Sequence, residues 1–222
     1  MLDILREGPG WAVVNKPAGI ATERHFQYDT LEARAQVQWT RDNAKRAGFV
    51  GIVHRLDRAT SGALVLARNK STLVRLNRSF AARSTTKRYL AVTDRPLPEA
   101  TGRLHHYLLR NATNKLAVAS TRPVAGAKEA ILSYRLLREG EGSYLYEVTP
   151  VTGRFHQIRC QFAAAGAPIV GDHAYGALRP LRDHCIALHA HRLSFPDPAD
   201  EDAVIETVAP LPEYWPLPPA TE

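Results

Sequence analysis

Hydrophobic positions fall into short runs separated by glycine, proline and charged clusters, and the period of each run predicts its element. Trp11 to Val14 reads as a strand that ends in the turn signal Lys16-Pro17-Ala18-Gly19. Asp29 and Glu32 have capping-box spacing and predict a helix running to about Arg46 and ending at Gly48. Gly51 to Val53 and Ala63 to Ala67 are apolar runs of strand length, with a polar segment between them. Ser71 is placed to cap a helix with Leu73, Leu76 and Phe80 on one face and Arg75, Arg78 and Arg83 away from it. Lys87 to Thr93 predicts a strand centred on Tyr89.

The second half continues in the same mixed style. Leu104 to Ala119 carries polar punctuation and is expected to include a mobile loop. Ala130 to Arg138 and Ser143 to Val148 predict two strands joined at Glu139-Gly140-Glu141-Gly142. Thr152 is placed to cap a helix with Phe155, Ile158, Phe162 and Ala163 on one face, stopped by Gly166 and Pro168. Short strands are expected at Ile186 to Leu188, Arg192 to Phe195 and Val204 to Val208. A proline-rich tail follows Pro210 and is expected to be extended and poorly ordered. Strands and helices alternate without a βαβ rhythm, which points to an α+β fold. No GxGxxG or P-loop pattern calls for a nucleotide cofactor.

Composition narrows the class. The chain has 222 residues, 45% of them hydrophobic, enough to bury a sizeable core. No run of about 18 apolar residues predicts a membrane span, and the start lacks the pattern of a signal peptide. Two cysteines, Cys160 and Cys185, make no disulfide scaffold, so a cytoplasmic protein is expected. The net charge is +7, and 23 of the 29 basic residues are arginine. Arginine forks onto phosphate and stacks on bases, so nucleic acid is the first partner to consider.

Three segments carry candidate chemistry. In His54-Arg55-Leu56-Asp57-Arg58-Ala59-Thr60-Ser61-Gly62, a carboxylate sits between two arginines, which favours its ionised form. That suits a nucleophile or an electrostatic stabiliser, and equally a surface Asp in a charged turn. In Thr152-Gly153-Arg154-Phe155-His156-Gln157-Ile158-Arg159, helical spacing puts His156 and Arg159 on one face. Arg159, between Ile158 and Phe162, then needs a carboxylate, for which Asp57 is a candidate. Lys87-Arg88-Tyr89 offers a tyrosine able to stack on a base or exchange a proton, or simply to pack on a sheet. A fourth cluster, His184, Cys185, His189 and His191, has no familiar metal spacing, and no metal site is expected.

Together these segments resemble the RluA-type pseudouridine synthase family. HRLDRATSG and TGRFHQIR, roughly 100 residues apart, are the specific matches. Asn15-Lys16-Pro17-Ala18-Gly19, Lys87-Arg88-Tyr89, Val170-Gly171-Asp172-His173-Ala174-Tyr175-Gly176 and Leu188-His189-Ala190 follow in the family's order. Residues 95–128 match no such motif. The resemblance implies a pseudouridine synthase fold: a long, mixed, mostly antiparallel sheet with flanking helices and a central cleft. It implies a catalytic domain over residues 1–210, a tail over 211–222 and no room for an N-terminal S4 domain. It further implies isomerisation of uridine in structured ribosomal or transfer RNA, without cofactor or metal. Asp57 would be the essential carboxylate, Arg159 its basic partner and Tyr89 the residue that stacks on the uracil. Ile158 would pack beneath the site. Arg55 would fill the space that the flipped base leaves, with His54, Arg58, Lys87 and Arg88 also on the substrate side. A monomer is expected. A non-catalytic RNA-binding module and a metal-dependent nuclease are the competing readings; the first would need a broken site, the second a metal.

Overall fold

Strand pairing organises the protein, described here by a computed structural model covering residues 1–42, 48–140 and 142–219. The chain divides into two compact units. One comprises Met1–Lys87 with His189–Pro212, the other Arg88–Leu188 with the segment that starts at Glu213.

In the first unit, β1 (Ile4–Gly8) and β2 (Trp11–Lys16) form an antiparallel hairpin, and β2 pairs antiparallel with β4 (Ser61–Ala67). Between them come α1 (Leu31–Asp42) and the two-residue strand β3 (Gly51–Ile52), which lies against the end of β4. β4 is buried along its whole length, which explains its unbroken apolar run. Helix α2 (Lys70–Ala81) follows and seals Leu76 into a core with Trp11, Val13, Val65, Leu193, Phe195 and Ile205. The expected face holds: Leu73 and Phe80 pack against the same core, whereas Arg75, Arg78 and Arg83 are exposed.

In the second unit, β5 (Thr86–Thr93), β6 (Thr101–Arg110), β7 (Ala117–Ser120), β8 (Lys128–Gly140) and β9 (Ser143–Pro150) line up antiparallel in the order β5-β9-β8-β6-β7. Helix α3 (Gln157–Ala164) packs Cys160 against Leu108, Ala117 and Ala130. Tyr134, Tyr146 and Phe162 meet edge to face with centroids 5.8–6.2 Å apart. Strand β10 (Leu188–Asp197) then begins; from His189 on it belongs to the first unit. There it pairs parallel with β4, His189 beside Ser61 and Ala190 beside Gly62, and antiparallel with β11 (Asp200–Val208).

Several expectations need correction. The helix caps are Thr30 and Asn69 rather than Asp29 and Ser71. Thr30 Oγ1 accepts the Ala33 N–H, and Asn69 Oδ1 accepts the Thr72 N–H at 2.8 Å. Asp29 pairs with Arg34 instead, while Ser71 donates to the Asn69 side chain. The expected helix end near Arg46 lies outside the described residues, as does Glu141 of the β8–β9 turn. Leu104 to Ala119 is largely the β6–β7 hairpin, with Tyr107 to Arg110 paired to Ala117 to Ser120 and the loop confined to residues 111–116. The tail holds no helix or strand over residues 211–219, as expected, but it is not loose: Trp215 and Leu217 are buried.

Gly62 shows how tightly β4 meets β10. Its φ is +116°, and a Cβ there would overlap the backbone nitrogen and carbonyl oxygen of Ala190. Backbone cannot step aside as a side chain would. We therefore expect Gly62→Ala to lower stability by at least about 1–2 kcal/mol, read from urea unfolding. An unchanged midpoint would show that the parallel pair tolerates a wider spacing.

Candidate functional site

The Asp57 loop leaves β3 and enters β4, and the chain around it is fixed from both sides by the segment that follows β2. Lys16, at the end of β2, is 0% exposed. A buried ammonium needs acceptors, and three backbone carbonyls supply them: Pro17 at 2.9 Å, Ile20 at 2.8 Å and Arg58 at 3.4 Å. The Arg58 carbonyl also accepts the Gly19 N–H at 2.8 Å, and Arg58 Nε returns a bond to the Gly19 carbonyl at 2.8 Å. On the other side, the Thr22 hydroxyl donates to the Leu56 carbonyl and accepts the Leu56 N–H, at 3.0 and 3.2 Å. Asp57 thus sits between two pinned neighbours, its own carbonyl closing a turn onto Thr60 N–H. Its side chain is half-buried. That is the constraint a catalytic carboxylate needs: a fixed main chain and partial access.

His54 is committed to the fold. Its Nε2 accepts the Val65 N–H at 3.1 Å, and its ring stacks on Phe80 at 4.8 Å. Lys87 Nζ lies 5.8 Å from the same Phe80 ring. Burial, helped by the Lys87 charge, pushes the His54 pKa down to about 3, and burial also lowers that of Lys87. The imidazole therefore remains neutral, as an acceptor nitrogen facing an N–H requires. Arg55 and Arg58 are exposed; Arg55 forms an ion pair with Glu23 at 2.7 Å.

The remaining candidates belong to the second unit. Tyr89 is nearly enclosed on β5, in register with Val148 of β9, and Arg88 lies 3.8 Å from Glu147. The helix expected from Thr152 begins only at Gln157. Thr152 instead gives its hydroxyl to the Gln157 side chain and accepts the Ile131 N–H. His156 stands just before α3 with φ +52°, a left-handed conformation that costs a non-glycine residue energy. Helical spacing between His156 and Arg159 was therefore the wrong reason to link them. What does link them is Tyr175: its hydroxyl is 3.1 Å from His156 Nδ1, and Arg159 lies 5.1 Å over its ring. Burial raises the Tyr175 pKa to about 12, so the hydroxyl keeps its proton and can donate it to His156.

Ile158 and Arg159 are buried on α3. Arg159 Nε and Nη2 fork onto Asp172 at 2.7 and 2.9 Å, with side chains 8% and 2% exposed. Asp172 is thus a partner of Arg159 that helical spacing does not reveal. The signal was available, since Asp172 is the one carboxylate in the Val170 to Gly176 motif.

Two members of the histidine cluster, His189 and His191, are likewise engaged with the protein. Ser61 Oγ is 2.8 Å from His189 Nδ1, and the other ring nitrogen is 3.3 Å from the Ala209 carbonyl, which His191 also meets at 3.0 Å. A carbonyl can only accept, so Nε2 carries the proton and Ser61 donates to Nδ1. Burial pushes the His189 pKa down to about 4, against the opposing effect of the Ala209 carbonyl.

Two measurements follow. Asp172→Asn removes the charge facing a buried guanidinium and should destabilise the protein by about 3 kcal/mol or more; a loss under about 1 kcal/mol in urea would show the pair to be dispensable. His54 has its folded pKa well below the ordinary value, so between the two only the unfolded chain takes up the proton. Its contribution is present near pH 7 and is lost as pH falls through 6.5 toward 3. Stability measured from pH 7 to pH 4 should fall less steeply in His54→Gln than in the wild type, and equal slopes would contradict a neutral buried ring.

Comparison with known proteins follows the same segments. A family model described as RNA pseudouridylate synthase matches residues 10–164, well over half of the chain. The chain is 32% identical over 200 residues to an uncharacterised RNA pseudouridine synthase of Mycoplasma genitalium, covering 89% of this chain and 63% of that protein. It is also 32% identical over 209 residues to ribosomal large subunit pseudouridine synthase D of Zymomonas mobilis, covering 89% and 65%. It thus spans somewhat less than two-thirds of the length of these curated relatives. Among solved structures, human RNA pseudouridylate synthase domain-containing protein 1 matches with a TM-score of 0.78 and 27% identity, over 96% of this chain and 84% of that one. The family match runs through the pinned Asp57 loop, Tyr89 and Arg159, and on it the chain belongs to the RNA pseudouridylate synthase family.

Proposed function

We propose that the protein isomerises uridine to pseudouridine in structured RNA, with Asp57 as the essential carboxylate. The observation that carries the reading is the pinned HRLD loop in a chain of this family: buried hydrogen bonds fix the backbone at Leu56 and Arg58, on either side of a half-buried carboxylate. The reaction breaks the N1–C1′ bond, turns the uracil and joins C5 to C1′. The C5 proton is lost and N1 gains one, so the product is an isomer and no redox partner is consumed. An ionised Asp57 serves each available route: attack at C1′, removal of the C2′ proton, or attack at C6 of the base.

In this reading Tyr89 stacks on the uracil, and Arg159, held by Asp172, is the basic residue that serves the reaction. Ile158 packs beneath the base. Arg55 lies on the loop itself, exposed and able to exchange Glu23 for an RNA group, where it would fill the space of the extruded uridine. Arg58, Lys87 and Arg88 face RNA, and His54 supports the loop. Ribosomal or transfer RNA is the proposed substrate class, supported by the charge of +7 and by the ribosomal specificity named for the Zymomonas mobilis relative. A monomer acting in the cytoplasm, without metal, completes the proposal.

Tritium release from RNA carrying 5-tritiated uridine tests it, with ribosomal and transfer RNA transcripts assayed separately in EDTA. Wild type should release tritium and Asp57→Asn should fall to background. Equal release by both would remove Asp57 from the chemistry. Loss of wild-type release in EDTA would point to a metal, and binding without release to an RNA-binding module.

A further inference from the structure

Between β2 and α1 the chain makes a tight excursion whose tip is aromatic. Its base is closed where Ala21 bridges Thr30 and where the Leu31 and Glu32 N–H groups donate to the Ala21 and Thr22 carbonyls. The Glu32 carboxylate reaches back to the Arg24 N–H at 2.7 Å. Nearer the tip, His25 bridges Tyr28, the Gln27 N–H meets His25 Nδ1 at 3.3 Å, and the two rings stack at 4.7 Å and 28°. Phe26 stands at the apex, wholly exposed, and Tyr28 is 55% exposed.

A single exposed apolar side chain is ordinary. Here the setting is not. The segment is held at its base and at its tip, so the rings are presented rather than left to wander. Every residue from Glu23 to Asp29 is exposed. The loop is also joined to the Asp57 loop: Arg58 lies 5.5 Å over the Tyr28 ring, Arg55 pairs with Glu23, and Thr22 at its root holds Leu56. The charges suit a polyanion, since Glu23 and Asp29 are each answered by an arginine and Arg24 and Arg58 add to them. Flat π faces beside guanidinium groups are what an unstacked base and its phosphate require.

We infer that the loop from Glu23 to Tyr28 is a stacking platform for an unpaired RNA base that flanks the target uridine, with Phe26 as its principal face. This rests on the reading of the Asp57 loop as the RNA site. The platform supplies affinity and context preference outside the chemistry, holding the strand while the target base is extruded. Its occupant is a base with its phosphate; a second protein surface is the competing occupant.

The test uses the full chain and a fluorescein-labelled dodecauridylate, a single strand, at low salt. Anisotropy titrations would compare wild type with Phe26→Ala, Tyr28→Ala, Phe26→Trp and Phe26→Leu, plus Leu178→Ala as a control at another exposed apolar residue. Thermal melts would confirm that each variant folds. Phe26→Ala should weaken binding about tenfold, Phe26→Trp should restore it, and Phe26→Leu and Tyr28→Ala should remain impaired. Leu178→Ala should bind as wild type. On a transcript that releases tritium, Phe26→Ala should raise KM and spare kcat. No binding by wild type, equal binding by all variants, or full rescue by Phe26→Leu would overturn the platform. So would loss of self-association in Phe26→Ala with RNA binding intact. An inactive wild type whose binding still depends on Phe26 would sink the enzymatic reading instead, and active protein with no dependence on Phe26 would sink only the platform.

Discussion

A buried ammonium sets the geometry on which the rest of the Asp57 loop depends. Lys16 is enclosed at the end of β2 and must find acceptors, and it finds them in the turn at Pro17 and Ile20 and in the carbonyl beside the carboxylate. Losing those bonds would leave both a charge and carbonyls unsatisfied, so the loop is held by the cost of opening it as much as by the bonds themselves. The reciprocal Gly19–Arg58 pair and the two-way Thr22–Leu56 pair extend the same clamp. The lysine that opens the turn signal Lys16-Pro17-Ala18-Gly19 is an internal fastener.

The second unit uses a related device around Arg159. Its guanidinium is aligned by a fork onto Asp172 and lies over Tyr175, whose hydroxyl accepts the Ala117 N–H of β7. Arginine orientation is thereby tied to a strand on one side and to the short 3₁₀ turn His173–Tyr175 on the other. Both devices place charge inside the protein and answer it with fixed dipoles or an opposite charge, which is how electrostatic preorganisation is built.

Much of this was legible from residues. The hydrophobic pattern reveals β4, an unbroken apolar run buried along its whole length, and the buried face of α2, whose apolar residues recur at helical spacing. The chemistry of HRLD and TGRFHQIR was legible through resemblance to a family. What stayed hidden was local competition and distance in sequence. Asn69 outcompetes Ser71 as a cap because it stands one residue before the helix, and Thr152 stands five residues ahead of α3, its hydroxyl shared between the Gln157 side chain and the Ile131 N–H. Arg159 and Asp172 are thirteen residues apart with a helix end between them, so no spacing rule joins them. The strands of the β6–β7 hairpin are hard to see from sequence because both polar and apolar residues point outward, His105 and Leu109 among them. Phe26 was passed over because one aromatic in a polar stretch carries no period.

The parallel pairing of β4 with β10 has a consequence for how the protein is made. Ser61 waits for His189, 128 residues later, and the core that holds Trp11 and Val13 also needs Leu193, Phe195 and Ile205. On the ribosome, the N-terminal 87 residues therefore emerge with their apolar strands unsatisfied while the whole middle of the chain is translated. Contacts of such separation are slow to form and leave sticky edges in the meantime. Nascent-chain protection, rather than final stability alone, becomes a condition for obtaining this protein in folded form.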